Sequence, residues 1–394
     1  MMKPFCVLPF VQFSTTVSGD YQACCIAKQQ DENIIDVSPL EFFNSKHMKQ
    51  LRYDMLQKNI SPLIQDTCYK CLINEQNTGN SKRLQNLYTT RDDKVNVLKQ
   101  STLKNISENK DVDLTPTDMD SFKIKIFGNL CNLKCTMCNP NASSKIAAEF
   151  KKYGEWNKPA IINPSKHMNM NKFLDDLKIV LPTTNQIEIV GGEPFLYPET
   201  FDLVNWIVEN DLAKNLEIRF VTNGMTENFD LFSLFKYFKQ VTVMFSVDGF
   251  GEKDEYIRTG TNWEEKVMLM KNVAQIPKVK MSFSTTTQLL NIGYLDEIHD
   301  FITKTFGITP RLNNGLSFPS WARAVNVPKD IASKYLKRYK NKQFNNKPYH
   351  IKTLSNDNER QHHLFKYAIK RYKQFDERRN TNLLDVYPEF EAYY

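Results

Sequence analysis

Cys131, Cys135 and Cys138 stand four and three residues apart, in the order Cys-x3-Cys-x2-Cys. Three thiolates so close in sequence can wrap one corner of a cubane iron–sulfur cluster. A [4Fe–4S] cluster has four iron sites, usually closed by four cysteines. No fourth cysteine lies near this triplet, so one iron stays open to a ligand. A structural zinc site is the competing reading, but it wants four ligands, usually as two separated pairs. No histidine lies within ten residues of the triplet.

A second constellation follows, Gly191-Gly192-Glu193-Pro194. Two glycines let the backbone approach a ligand closely, and a glutamate places an anion beside it. Further along come Asn223-Gly224, then Ser246-Val247-Asp248-Gly249, then Arg258. By themselves the Asn-Gly and Asp-Gly pairs are turn dipeptides. A guanidinium at Arg258 suits a carboxylate by bidentate geometry.

The remaining five cysteines lie in the first 71 residues: Cys6, Cys24, Cys25, Cys68 and Cys71. Cys6, Cys24, Cys68 and Cys71 can close one four-thiolate site, with Cys25 able to replace Cys24. Either a second [4Fe–4S] cluster or a zinc ion suits four such donors. Tight cysteine spacing in a reducing cytoplasm points to metal or redox chemistry, where structural disulfides are disfavoured.

Elements able to position these groups are readable around them. Strand patterns occur at residues 123–127, 186–190, 216–222, 241–247, 279–286 and 309–312, several dense in Val, Ile and Phe. Fully buried parallel strands read this way. Helical patterns at 172–180, 200–210, 229–238 and 263–275 alternate with them. Repeated strand–helix units indicate a parallel α/β architecture. Six units are too few for an eight-fold barrel, so a partial (β/α)6 barrel is expected. In barrel folds the chemistry sits at the C-terminal ends of strands, and each motif above follows a strand.

Three zones result: a cysteine-rich region at 1–118, the barrel at 119–315 and a helical basic extension at 316–394. The first zone carries a helix at about 39–57, few regular strands, and a polar linker around 111–120 that includes Pro116. The chain has 394 residues, 41% of them hydrophobic, enough to bury a core. No apolar run approaches the roughly 20 residues of a membrane span, and residues 1–10 lack the pattern of a signal peptide. A cytoplasmic protein with no membrane partner is expected. The net charge is +7, and residues 334–379 hold 14 Lys/Arg against 4 Asp/Glu. Such a zone can bind nucleic acid. It also reads as a solvated helix face, because Leu364, Tyr367, Ala368, Tyr372 and Phe375 recur at helical spacing.

With the cysteine triplet after the first barrel strand and Gly-Gly-Glu-Pro after the second, residues 121–315 resemble the radical S-adenosylmethionine (SAM) superfamily. The resemblance implies that the open iron binds the amino and carboxylate groups of SAM. Reductive cleavage then yields a 5′-deoxyadenosyl radical that abstracts hydrogen from a substrate. It assigns Gly191, Gly192, Glu193 and Pro194 to the SAM amino group, and Met137 to the site beside SAM where an aromatic residue is usual. Asn223 joins the cofactor-binding set, Ser246 and Asp248 go near the ribose, and Arg258 pairs with the carboxylate. An external donor such as flavodoxin or ferredoxin supplies the electron.

The pattern Cys6-x12-Gly19-x4-Cys24 with Cys68-x2-Cys71 resembles the Twitch/SPASM extensions, which hold auxiliary iron–sulfur clusters. Those extensions usually follow the barrel, whereas here the region precedes it. By this analogy the substrate is a peptide or protein. Chemistry on a small molecule, nucleotide or nucleic acid is the alternative within oxidoreductases and transferases. A non-catalytic iron–sulfur or zinc protein is the alternative outside enzymes. No residue has a context that marks it as the catalytic acid or base.

Overall fold

The computed structural model describes residues 4–78, 81–89, 100–115, 119–357 and 362–394. Pro116 of the expected linker lies outside the described residues. The chain divides into two compact units. The first comprises residues 1–130, 159–220 and 229–241; the second comprises 131–158, 221–228 and 242–394.

The strands, in chain order, are β1 (Gln12–Thr15), β2 (Tyr21–Gln22), β3 (Ser121–Ile124), β4 (Lys134–Cys135), β5 (Gln186–Ile189), β6 (Glu217–Thr222), β7 (Gln240–Ser246), β8 (Arg258–Thr259), β9 (Val279–Thr287) and β10 (Arg311–Gly315). All six expected barrel strands are present, as β3, β5, β6, β7, β9 and β10. The helices between them also hold, at Met170–Val180, Pro198–Glu209, Phe229–Ser233 and Trp263–Ala274. The mostly parallel α/β class expected for a radical SAM fold is therefore the observed one.

In the first unit β1, β3, β5 and β6 run parallel in that order, with β2 antiparallel on β1. The alternation along each strand has a simple cause: successive side chains point to opposite faces. Phe122, Ile124, Ile187, Ile189, Ile218 and Phe220 are buried on one face. Phe13, on β1, stacks on Phe122 with ring centroids 5.5 Å apart. The opposite face carries Lys123, Glu188 and Arg219, paired in register across three strands.

Three expectations need correction. Among the described residues the N-terminal zone has few strands, as expected, but its β1 was not anticipated as a member of the sheet beside β3. The expected helix over 39–57 is two helices, Pro39–Phe43 and Lys46–Met55. Ser45 restarts the chain by capping the second one, its side chain accepting from Met48 N. The apolar face of the C-terminal helix His362–Arg379 is Phe365, Ala368, Ile369, Tyr372 and Phe375; Tyr367 is exposed.

In the second unit β9 lies between β7 and β10, parallel to the latter. A two-residue antiparallel ladder, β4 on β8, pairs Cys135 with Arg258. The C-terminal helix braces that ladder. Arg379 Nη1 donates to Lys134 O at 2.9 Å, and its guanidinium meets buried Glu149 at 2.9 Å. Arg371 pairs with Glu155 at 2.9 Å, and Arg378 pairs with the same carboxylate. Part of the basic surplus of the C-terminal zone is thus spent inside the second unit. Among the described residues no helix is long and apolar enough to cross a membrane.

Candidate iron–sulfur and SAM site

Cys131, Cys135 and Cys138 occupy one loop of the second unit. Cys131 and Cys135 are buried with Leu133, and Met137, Cys138 and Met225 pack against them. The loop is shaped by its own backbone and by two serines. Cys138 N donates to Cys135 O at 3.0 Å, Ser143 Oγ donates to Leu133 O at 2.9 Å, and Cys131 N donates to Ser144 Oγ at 3.2 Å.

Two nitrogen donors face the thiols. Asn223 Nδ2 is 3.8 Å from Cys131 Sγ, and Arg258 Nη1 is 3.8 Å from Cys135 Sγ. Asn223 also donates to Asn132 Oδ1 at 2.7 Å, while its own oxygen accepts from Met225 N at 2.9 Å. Asn223 is therefore more than a turn residue: it ties the end of β6 to the cysteine loop. Asn132 lies within the cysteine motif, but as one of its variable positions, and this contact reveals its role.

Arg258 has a second commitment. Its Nη2 lies 2.8 Å from Asp248 Oδ2, which is fully buried, and Asp248 Oδ1 accepts from Thr286 N at 2.7 Å. Burial pushes the Asp248 carboxyl up from its usual range, against the pull of Arg258. Burial alone would lower the Arg258 guanidinium, but Asp248 outweighs it and raises it. Asp248 and Arg258 form a coupled pair beside Cys135 in this structure, and Arg258 Nε is a buried donor without a hydrogen-bond partner. Ser246 is half-buried at the end of β7, and its carbonyl accepts from Lys266 Nζ at 2.9 Å.

This loop fits an iron–sulfur cluster. Burial pushes the Cys135 thiol up to about 12 and the Cys138 thiol up to about 11. Thiolates in such a place need a strong local cation, so metal loading must release their protons. Asn223 and Arg258 then supply N–H groups to sulfur, the contacts that tune a cluster.

Gly191-Gly192-Glu193-Pro194 belongs to the first unit. Gly191 and Gly192 have φ of +107° and +52°, and a Cβ on Gly192 would fall 2.1 Å from Leu130 O. Only glycine fits there. Glu193 N donates to that same carbonyl at 2.8 Å, in the residue just before the cysteine loop. Glu193 is fully buried and caps the turn Pro194–Leu196, its carboxylate accepting from Phe195 N at 3.3 Å.

The N-terminal cysteines form a second centre, wholly within the first unit. Cys6, Cys24, Cys68 and Cys71 line one small cavity with Lys82 and Arg83; Cys25 is absent from the lining. The hairpin of β1 and β2 brings Cys24 back toward Cys6. Its turn needs Gly19, whose φ is +88° and whose missing Cβ would lie 2.7 Å from Asn33 Oδ1. Cys68 ends the helix Pro62–Thr67, and Cys71 N donates to Cys68 O at 2.9 Å in the next turn. Arg83 Nη1 donates to Phe5 O at 3.1 Å, and Arg52 Nε to Pro9 O at 2.9 Å, so two buried arginines fix the Cys6 segment. Burial pushes Cys24 up to about 11 and Cys68 up to about 12.

Among the described residues no group of three or more His, Cys, Asp or Glu is already drawn together as a metal site. Four thiols around one cavity suit either a zinc ion or a four-iron cluster that brings its own sulfides. Cys24, and not its neighbour, faces the cavity, so Cys24→Ala should remove the iron of this centre. Cys25→Ala should retain it. Iron and acid-labile sulfide counts on anaerobically reconstituted protein check this; equal losses in both variants would refute the assignment.

Comparison with known proteins agrees with this geometry. The family model described as the radical SAM superfamily matches residues 125–302. Residues 125–302 are thus similar to the radical SAM domain. Solved structures similar to it include anSMEcpe with bound AdoMet, at 18% identity over 55% of this chain and 59% of that one, TM-score 0.39. SuiB of Streptococcus suis bound to the precursor peptide SuiA is another, at 16% identity over 66% and 54%, TM-score 0.34. The chain spans little more than half the length of these proteins. No curated protein matches the chain.

Proposed function

We propose that this enzyme cleaves SAM reductively at a [4Fe–4S] cluster held by Cys131, Cys135 and Cys138, and modifies a peptide or protein by hydrogen abstraction. A second [4Fe–4S] cluster on Cys6, Cys24, Cys68 and Cys71 assists it. The observation that carries this reading is the shared cavity of those four thiols, in a chain whose barrel domain is of radical SAM type.

When bound, the first cluster supplies an electron to SAM, which yields a 5′-deoxyadenosyl radical. The chain's own residues do the rest of the positioning. Asn223 and Arg258 donate toward the cysteine sulfurs, and the glycine pair lets the turn before Glu193 pass close to Leu130. Four cysteines leave no iron open at the N-terminal centre, which favours electron transfer over substrate ligation there. The protein works in the reducing cytoplasm with an external donor such as flavodoxin or ferredoxin.

The competing substrate is nucleic acid, favoured by the basic C-terminal zone. Against it, Arg371, Arg378 and Arg379 are engaged by Glu149 and Glu155. Release of 5′-deoxyadenosine above background should rise with a pool of short peptides and stay flat with RNA. Stimulation by RNA alone would overturn the peptide reading.

A further inference from the structure

The polar face of the first unit's sheet carries more cations than its own carboxylates can neutralise. Lys123 on β3, Glu188 on β5 and Arg219 on β6 form one ladder: Lys123 pairs with Glu188, and Arg219 Nη1 lies 3.7 Å from the same carboxylate. Arg219 also meets Glu217 at 3.7 Å. Burial pushes Glu188 up, but Lys123 and Arg219 more than offset this and hold it below the usual range. Glu188 is therefore committed to two cations already.

Lys125 stands two residues beyond Lys123, on the same face by the strand period. Its backbone N–H donates to Thr15 Oγ1 at 2.9 Å, which fixes it against β1. Its Cβ lies 3.2 Å from where a side chain would begin at Gly191, the first glycine of the Gly-Gly-Glu-Pro turn. Among the described residues the ion pairs of this face are made by Lys123 and Arg219, and none by Lys125. Burial lowers the Lys125 ammonium, Lys123 lowers it further, and Cys25 and Glu188 do not restore it. Lys82 stands nearby on the rim of the four-cysteine cavity. Half-buried cations are rarely left so.

We propose that this face binds a carboxylate of the substrate, an acidic side chain of a peptide, with Lys125 as its charge partner. The inference rests on the peptide reading above and names its chemical class. A carboxylate here replaces lost hydration of the ammonium with a charge-assisted hydrogen bond. It also places the anionic residue next to the Gly191–Pro194 turn.

The test uses the anaerobically reconstituted holoenzyme with SAM, pulsed with acetic anhydride, with acetylation of Lys125 read by mass spectrometry. The probes are two capped pentapeptides, Ala-Ala-Glu-Ala-Ala and Ala-Ala-Gln-Ala-Ala. At twice its Kd the Glu peptide should slow acetylation of Lys125 about threefold, by simple occupancy, and the Gln peptide should not. Lys125→Met should abolish the preference for the Glu peptide in calorimetric titration, and Lys125→Arg should retain it. Equal protection by both peptides overturns the proposal. So does full protection by SAM alone, which would make the cofactor carboxylate the anion. The 5′-deoxyadenosine released by wild type with dithionite and no peptide tests the radical chemistry separately.

Discussion

Replacing Cys131, Cys135 and Cys138 together by alanine should lower the iron of the reconstituted protein from about eight to about four per chain and abolish 5′-deoxyadenosine formation. The two halves of this result have different origins. The loop owes its shape to Ser143, Ser144 and the backbone bond from Cys138 to Cys135. None of the first two contacts uses a thiol, so the loop keeps its fold when the sulfurs go. The N-terminal thiols sit in the other compact unit, lining their own cavity. Their four irons should stay. The donors Asn223 Nδ2 and Arg258 Nη1 would then face methyl groups, at a modest cost in stability. A triple variant that kept all its iron would remove the assignment of the first cluster. Wild type with about four irons plus one zinc would make the N-terminal centre a zinc site.

Much of this was legible in the sequence because it is local. The cysteine triplet and the Gly-Gly-Glu-Pro turn each occupy a few consecutive residues. The six strands announce themselves by Val, Ile and Phe that recur on the buried face. β1 was not legible: Gln-Phe-Ser-Thr is too short and too polar to read as a strand. Its place comes from pairing with β3, more than a hundred residues later, and from Phe13 stacking on Phe122. Cys24 and Cys25 are neighbours, so spacing leaves the ligand undecided, whereas only Cys24 lines the cavity. The C-terminal helix was phased wrongly because Leu364 and Tyr367 are as apolar as Phe365 and Ile369. The aromatic packing of Phe365 on Phe390 and Tyr393 decides between them.

The least legible part is also the one whose loss should cost most. Lys266→Met should destabilise the fold by about 3–5 kcal/mol, the usual effect of stranding one member of a buried ion pair. Lys266 and Asp254 are fully buried, with Nζ 2.6 Å from Asp254 Oδ2. Burial pushes the Lys266 ammonium down, and Asp254 works against that shift. Nothing around either residue marks it: Lys266 looks like one more surface lysine on the helix Trp263–Ala274. Yet Asp254 Oδ1 accepts from the backbone N–H of Asp248 at 2.8 Å and of Gly249 at 3.2 Å. That holds the strand end from which Asp248 reaches Arg258, and Arg258 reaches Cys135. Gly249 admits no side chain there, since a Cβ would lie 2.4 Å from Asp254 N. Lys266→Met leaves the carboxylate charged and dry; adding Asp254→Asn removes that charge and keeps an oxygen for the two N–H groups. The double variant should therefore melt above the single one, although it carries more changes. Thermal melts of both proteins against wild type, followed by circular dichroism, measure this. A single variant within about 1 kcal/mol of wild type, or a double variant below the single, would mean that the pair does not carry the support of the Asp248–Arg258–Cys135 chain.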